Sequence, residues 1–593
     1  MNERETPRTS SGVTPLFAVV LAALPGAVFG GHLGLLLFFL NPEVPFTAGR
    51  LLTATLAGAA ACAGFTAALG WLFRHRRWRR LLPWGLTVAL ALAAGLYSTH
   101  ASHYAFYLPA RINDQLLRTA AWLSLATLIC FYTALLHSLG RRPYGWRSRA
   151  AFWLLTAGSF FAAFDRRSSY LPLAVEAMPV PIERGAPRPH LVVVGIDTLS
   201  LDAVLPLAEE GGLPFLSAAL ETGAYGPLRS LRPPRHRASW TTVATGQFPH
   251  RHGILGAPSS WSPWFGRATE LRLLPAGLAF QRWGLIGART EPESPARHLK
   301  GLPLPELLAR LGVTTGSVGW PASSPRDAPL LWQVSDRFFS TVEAGDSAAV
   351  PGTAPGAEEV VPRDLAARAR LFAVNPEELD HRWTASAGTP PSEPLLAALR
   401  ADQWRVGLTT ALAREAPPRA LFLHLPGLER LSRAFFEDYA EGRLESPPSA
   451  RAEAAARELG AHHRYLAAVL EELWLATPEP RLFVIVSASG PEVPGFVEHL
   501  WRRAFGGPPL GGAVGKTPDG AVFLLGDAIR PGTLLTGART VDVVPTLLYG
   551  LGLPVARDLD GRVWTEAFRP DFLAAHPLAF VPTYRGLDPR SAP

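Results

Sequence analysis

One stretch of the chain decides how the rest of it is interpreted. Residues 233–253 read Pro-Pro-Arg-His-Arg-Ala-Ser-Trp-Thr-Thr-Val-Ala-Thr-Gly-Gln-Phe-Pro-His-Arg-His-Gly. The second half contains a Thr-Gly-x-x-Pro-x-x-His-Gly run that begins at Thr245 and ends at Gly253. The residue nine positions before Thr245 is His236, which lies between two arginines. The segments on either side show what kind of domain contains this stretch.

Short, continuous apolar runs occur on both sides of it. They occupy residues 191–194, 316–319, 421–425, 482–486 and 522–525. Helical patterns lie between them, for example at 304–311 and 452–475. Strands without polar alternation are typical of a parallel sheet that is buried on both faces. The pattern predicts a doubly wound, mainly parallel α/β sheet with its ligand site at the carboxyl ends of the strands.

The first part of the chain has a different composition. Apolar runs occupy residues 14–40, 47–73, 81–107, 116–139 and 150–164. Each is about the length that crosses a hydrocarbon core of ~30 Å, the last only marginally. The sequence therefore predicts a five-helix transmembrane domain ahead of the α/β domain. The expected boundaries are 1–167 for the helices, 168–189 for a linker, 190–575 for the α/β domain with a variable cap or loops at about 340–400, and 576–593 for a tail.

The charged residues predict how these helices are oriented. Loops 74–80 and 141–149 are strongly basic, whereas 41–46 and 100–115 are nearly free of cations. Basic loops stay cytoplasmic, so we expect a cytoplasmic amino terminus and a periplasmic or extracellular carboxyl-terminal domain in a bacterial-type plasma (inner) membrane. The formal net charge of +8 comes largely from arginines beside these apolar runs. It does not indicate a nucleic-acid partner, and none is expected.

The stretch at 233–253 resembles the nucleophile segment of the alkaline phosphatase superfamily, closest to its type I phosphodiesterase/nucleotide pyrophosphatase family. Members carry a Thr, Ser or modified Cys nine residues before the Thr-Gly-x-x-Pro-x-x-His-Gly run. Residues 298–338 resemble the family's next segment. Asp542-Val543-Val544-Pro545-Thr546, followed by Gly552-Leu553-Pro554 and Asp560-Gly561, resembles its carboxyl-terminal signature. The resemblance covers most of 188–570 and implies an alkaline-phosphatase-like fold.

The same resemblance implies where two divalent, zinc-like metals and a nucleophile would lie. The matching positions are occupied by Asp197 and Glu429, which could bind a cation, and by His236, Arg433, Ala488, Ser489 and Lys516. An imidazole at the nucleophile position is not a metal-activated alkoxide. Arginine has no free lone pair, and alanine offers no ligand at all. We therefore expect no metal cofactor, unless the site has been rebuilt around histidines such as His250, His252, His424, His462 or His463.

Several residues of the segment and of the implied site also have other interpretations. Asp197 could instead cap the helix that begins near Leu199. His424 fits a strand core residue, His252 resembles the family's structural His-Gly turn, and His462 and His463 fit helix-surface positions. Arg235, Arg237, Arg433 and Lys516 are candidates for binding an anion in place of the metals, since Arg gives bidentate contacts to phosphate and carboxylate groups. They could equally face solvent or pair with nearby carboxylates.

Two classes of function are therefore open. The first is a membrane-anchored, catalytically inactive relative that binds an anionic lipid headgroup, a glycan or a partner protein. The second is an active phosphodiesterase, sulfatase-like hydrolase or lipid-headgroup phosphotransferase, because helices followed by an outer domain of this superfamily resemble lipoteichoic acid synthases and phosphoethanolamine transferases. Hydrolysis of an aryl phosphodiester by the purified protein distinguishes them.

Overall fold

The fold was analysed in a computed structural model of the 593-residue chain. It describes residues 15–45, 47–72, 78–164, 188–261, 269–276, 289–321, 323, 329–343, 357–375, 379, 383, 391–443, 447–491 and 518–587. The predicted linker at 168–189 lies almost wholly outside the described residues, as do Lys516 and most of the basic loop at 74–80. The described residues form two compact units. The first contains the residues up to 164 together with those between 257 and 292, and the second contains the rest.

The first unit is mainly helical. Its helices are α1 (Pro15–Leu40), α2 (Ala48–Leu72), α3 (Trp78–His103), α4 (Ala110–Leu139) and α5 (Trp146–Phe164). Among the described residues, four helices are long and apolar enough to cross a membrane, namely α1 to α4. The prediction of five spans is therefore wrong by one. Arg147 and Arg149 lie in the first turn of α5, and the apolar run at 150–164 that follows extends only about 22 Å as a helix. It still packs on α1, where Ser159 bonds the buried ring of His32 (2.9 Å).

The first unit also holds a segment from after the Thr-Gly-x-x-Pro-x-x-His-Gly run. Three short antiparallel strands form there: β3 (Ser259–Trp261), β4 (Glu270–Leu271) and β5 (Arg289–Glu291). The residues after β4 bond the ends of the helices. Asn41 contacts Leu273 and Arg272, His100 accepts from the Ala276 amide, and Tyr104 donates to the Leu274 carbonyl.

The second unit is an α/β domain. Its other strands are β1 (His190–Ile196), β2 (Ala224–Leu228), β6 (Thr315–Val318), β7 (Trp332–Val334), β8 (Val360–Val361), β9 (Ala420–Leu425), β10 (Arg481–Val486), β11 (Gly520–Gly526), β12 (Thr533–Leu534), β13 (Val555–Ala556) and β14 (Phe580–Val581). Its helices are α6 (Leu201–Glu209), α7 (Pro214–Thr222), α8 (His236–Thr245), α9 (Pro249–His252), α10 (Pro295–His298), α11 (Leu304–Arg310), α12 (Asp336–Glu343), α13 (Leu365–Leu371), α14 (Glu393–Glu415), α15 (Gly427–Gly442), α16 (Ala450–Ala476), α17 (Val543–Gly550) and α18 (Pro570–Ala575).

Nine of these strands form one mixed sheet, in the order β12-β2-β11-β10-β1-β9-β6-β7-β8. The run from β10 to β7 is parallel, while β11 pairs antiparallel with both of its neighbours and β8 with β7. All five predicted strands are confirmed. Successive residues of β1 enter opposite cores: Val192 and Val194 pack in one, Leu191 and Val193 in the other. A strand covered on both faces needs apolar residues at every position, which explains the continuous runs.

Helix α16 corrects one prediction about its histidines. His462 and His463, expected on a helix surface, are both buried. Their helix packs against α15, α14 and α7, so it has apolar or small residues on more than one face. His462 lies 3.1 Å from the equally buried Asp402, and Nδ1 of His463 bonds the Leu459 carbonyl (2.7 Å).

Candidate functional site

Three segments bring one carboxylate and two imidazoles together at the carboxyl end of the central strands. Asp197 follows directly after β1, and His424 is the penultimate residue of the adjacent strand β9. Because Gly195 pairs with His424 in this parallel ladder, the two residues end at the same edge of the sheet. His236 is the first residue of α8, and its side chain reaches the same point.

The Asp197 carboxylate is the centre of this group. Its Oδ2 lies 3.1 Å from Nε2 of His236 and 3.2 Å from Nε2 of His424, while Oδ1 accepts a 2.6 Å bond from the indole of Trp240. Asp197 and His424 are buried, whereas the His236 side chain is 41% exposed. We call Asp197, His236 and His424 the Asp-His-His cluster. Asp197 does not cap a helix. The residue before α6 is Ser200, and the Asp197 oxygens face the imidazoles.

The local sequence explains why Trp240 can reach the carboxylate. It lies one helical turn after His236, on the same face of α8. Its ring packs edge-on against His424 and Trp320. A Cβ atom on Gly195 would come within 2.7 Å of this ring, so glycine at that strand position makes room for the indole.

The charges in the cluster stabilise one another. Burial by itself would raise the pKa of Asp197, but the neighbouring imidazoles His236 and His424 hold that pKa well below its usual range. Burial by itself would lower the pKa of His236, yet the charge of the Asp197 carboxylate outweighs it and raises that pKa to about 9. Without another ligand, His236 and Asp197 therefore form an ion pair at neutral pH.

The other positions implied by the family resemblance that the structure describes do not join the cluster. Glu429 bonds Arg433 on the next turn of α15 (2.5 Å), and the Arg433 side chain is 76% exposed. Ala488 is buried, and its carbonyl accepts from Ser230. The carbonyl of Ser489 accepts from Ser487. These residues do not fit the two metals of the family, since neither a guanidinium nor a methyl group can bind a cation.

The anion-binding candidates that the structure describes are each bonded to protein groups. Nη1 of Arg235 donates to the Leu255 carbonyl (2.9 Å), and Nη1 of Arg237 lies 3.5 Å from the Glu293 carbonyl. Arg433 pairs with Glu429, as described above. Arg235 and Arg237 stay beside His236 at the start of α8, whereas Arg433 extends into solvent.

Within the described residues, the Asp-His-His cluster is the only group of three or more His, Cys, Asp or Glu side chains placed to share a metal ion. Its ligand atoms all lie within 4.8 Å of one another. Sequence reasoning named His424 among the histidines for a rebuilt metal site but favoured a strand core position, and it did not predict the contact with Asp197. The available signal was its place near the end of a strand predicted to enter the same sheet as 191–194. His252, by contrast, is a structural turn residue: it is buried and bonds Thr242 and the Ile254 amide.

This chain is similar to several known proteins. The family model described as Type I phosphodiesterase / nucleotide pyrophosphatase matches residues 191–488. Among solved structures, the chain is similar to an inactive variant of murine ectonucleotide pyrophosphatase / phosphodiesterase 5 in complex with AMP, at 12% identity and a TM-score of 0.31, over 62% of this chain and 96% of that one. It is also similar to phosphonoacetate hydrolase from Sinorhizobium meliloti 1021 in complex with phosphonoacetate, at 16% identity and a TM-score of 0.28, over 56% of this chain and 66% of that one. No curated protein matches the sequence.

Proposed function

Because the chain belongs to the type I phosphodiesterase / nucleotide pyrophosphatase family, we propose that it is a membrane-anchored member that binds an anionic ligand and does not hydrolyse phosphodiesters by two-metal catalysis. One observation carries the proposal. The nucleophile position holds an imidazole, His236, and its Nε2 lies 3.1 Å from the carboxylate that would be a metal ligand, Asp197.

The chemistry of the family explains why this matters. Two closely spaced metals activate a hydroxyl nucleophile and stabilise the attacking and leaving oxygens of the phosphoryl group. In this chain the hydroxyl is absent from position 236, and Arg433 and Ala488 stand at two ligand positions. Removing one ligand weakens a metal site greatly, so these substitutions together oppose a metal pair.

Membrane anchoring is supported by the helices and by their contacts. Helices α1 to α4 are long and apolar enough to span a bilayer. Asn41, His100 and Tyr104 lie in the two cation-poor segments, 41–46 and 100–115, that the charge pattern assigns to the outer side, and all three bond residues 272–276. Those residues come after the last predicted span, so the same charge pattern assigns them to the outer side as well. We propose that the α/β domain faces the periplasm or the exterior.

The proposed ligand is an anionic envelope group such as the phosphate of a lipid headgroup. Arg235, His236 and Arg237 are consecutive at the start of α8, where the helix dipole also favours an anion. A guanidinium has five N–H donors in a fork that matches phosphate, so one bond from Arg237 to a carbonyl does not exhaust it. A glycan or a partner protein carrying the same anionic group would be recognised by the same chemistry.

The test uses the full-length protein in detergent with bis(4-nitrophenyl) phosphate as substrate and added Zn²⁺ or Mn²⁺. We expect no turnover above that of buffer with metal, and the same result for His236→Ala. Robust hydrolysis that His236→Ala abolishes would refute the proposal. Binding is measured with glycerol phosphate by phosphorus NMR: Arg237→Ala should weaken it, whereas the exposed control Arg569→Ala should not.

A further inference from the structure

We propose that the Asp-His-His cluster binds a single divalent transition-metal ion of the zinc class. The inference deepens the proposed function and rests on it, because it places one ion at a site where the family uses two. The three ligands come from Asp197, His236 and His424, and two of them are not positions at which the family resemblance implies a ligand.

The distances from the carboxylate oxygen to the two imidazole nitrogens fit one ion. Zinc–nitrogen distances of about 2.0–2.1 Å place two ligands of a tetrahedral ion roughly 3.3 Å apart. Oδ2 of Asp197 lies 3.1 Å from Nε2 of His236 and 3.2 Å from Nε2 of His424. Imidazole nitrogen and carboxylate oxygen are also the donors that zinc-like ions accept.

A second observation, on the buried ring of His424, also points to a bound cation. The His424 side chain is 3% exposed, and among the described residues its Nε2 has no hydrogen-bond partner. It approaches the Asp197 carboxylate without the orientation of a hydrogen bond. An unsatisfied buried nitrogen destabilises the fold. A cation between this nitrogen and Oδ2 of Asp197 would give the nitrogen a partner, while Oδ2 already contacts His236.

The surroundings hold the carboxylate in place for an ion. The Trp240 indole donates to Oδ1 of Asp197 (2.6 Å), which leaves Oδ2 directed at the two imidazoles. A hydrogen bond of this kind, donated to a metal ligand by a residue that does not itself bind the metal, fixes the orientation of the ligand and raises the metal affinity. Gly195 lets the indole approach, so this hydrogen bond depends on a residue of strand β1 as well as on helix α8.

Solvent reaches the cluster at His236. Asp197 and His424 are buried, but the His236 side chain is 41% exposed, so an ion here would be reachable from solvent. Three protein ligands with one open position are typical of zinc sites that bind an exogenous group. One carboxylate and two neutral imidazoles leave a divalent ion with a net charge of about +1, which attracts an anion. The ion would thus supply the anion-binding group of the proposed function.

The test measures metal content and does not depend on activity. The full-length protein, purified with a tag that lacks histidine, is stripped with chelator and reloaded with Zn²⁺ or Co²⁺. We expect one ion per chain after gel filtration, and visible absorption of bound Co²⁺ typical of a low-coordinate nitrogen and oxygen site. His424→Gln and Asp197→Asn should each lower the affinity by at least about 100-fold. The asparagine keeps an acceptor for Trp240, and the exposed control His576→Gln should bind as the wild type does.

Each outcome decides the matter. Absence of bound metal in the wild type would overturn the inference and leave the proposed function standing. Metal that His424→Gln retains in full would place the ion elsewhere and would also overturn it. Two ions per chain together with phosphodiester hydrolysis would refute both proposals. If His424→Gln does not fold, His236→Gln replaces it, because that side chain is partly exposed and tolerates substitution better.

Discussion

Removing the Asn41 side chain should release residues 272–274 from the helical unit. Asn41 is buried, and its Nδ2 donates to the carbonyls of Leu37 (2.9 Å) and Leu273 (2.8 Å). Its Oδ1 accepts from the amides of Arg272 (2.6 Å) and Leu273 (2.9 Å). Three of these four bonds join the helix end to a segment more than two hundred residues further along the chain.

The expected magnitude follows from those three bonds. Each contributes about 1 kcal/mol net, so Asn41→Ala should weaken the attachment by about 3 kcal/mol. That free energy corresponds to roughly a 100-fold rise in the population of the locally open segment. Hydrogen exchange of the peptide containing Arg272 and Leu273, measured by mass spectrometry on the full-length protein in nanodiscs, reports this population directly.

A matched control separates this effect from general loosening of the helices. Asn113 in α4 has the same side chain, and its Oδ1 has no hydrogen-bond partner among the described residues. Asn113→Ala should leave exchange at Leu273 unchanged. If Asn41→Ala also leaves it unchanged, the reasoning is wrong, because the bonds would not be holding the segment.

Two further predictions concern stability. Burial lowers the pKa of His252 to about 3, and its Nδ1 accepts from the Ile254 amide (3.1 Å). Near pH 6.5 this histidine takes up a proton in the unfolded state but not in the folded state. The free energy of unfolding should therefore be highest above pH 6.5 and fall as the pH drops toward 3. When the melting temperature is measured from pH 7 to 4.5, it should decline less steeply in His252→Asn than in the wild type. Asp542 is buried and accepts from the Arg539 side chain (3.0 Å) and amide (3.0 Å), so Asp542→Ala should cost about 3 kcal/mol in denaturant unfolding. The exposed Asp571→Ala should cost less than about 0.5 kcal/mol, and equal losses would contradict a structural role for Asp542.

Some features could be predicted because they depend on local composition. The strands β1, β6, β9, β10 and β11 were each visible as continuous apolar runs, since a strand buried on both faces has no polar side to interrupt it. The number of membrane-length helices was predicted wrongly, as five instead of the four found among the described residues. The run at 150–164 is apolar enough to resemble a transmembrane helix. The arginines before it, however, shorten the apolar part of α5 to less than the length of a membrane span.

The carboxyl-terminal signature shows a different limit. Sequence resemblance placed Asp560 and Gly561 in the family but gave them no role. In the fold, the Asp560 carboxylate accepts from the Phe248 amide (2.8 Å) and pairs with Arg251 (2.7 Å), so it closes the turn at the centre of the nucleophile segment. A Cβ atom on Gly561 would meet the Val541 carbonyl at 2.0 Å, which explains the glycine.

The amino-acid sequence by itself determined the family, the strands of the central sheet, four of the membrane-length helices and the substitutions that oppose a metal pair. Each of these depends on which residue stands at which position along the chain. Only the tertiary structure decided that His424 faces Asp197 and His236. Those three residues come from a strand end, a neighbouring strand and the start of a helix, and their distances depend on strand pairing and helix packing rather than on spacing in the sequence.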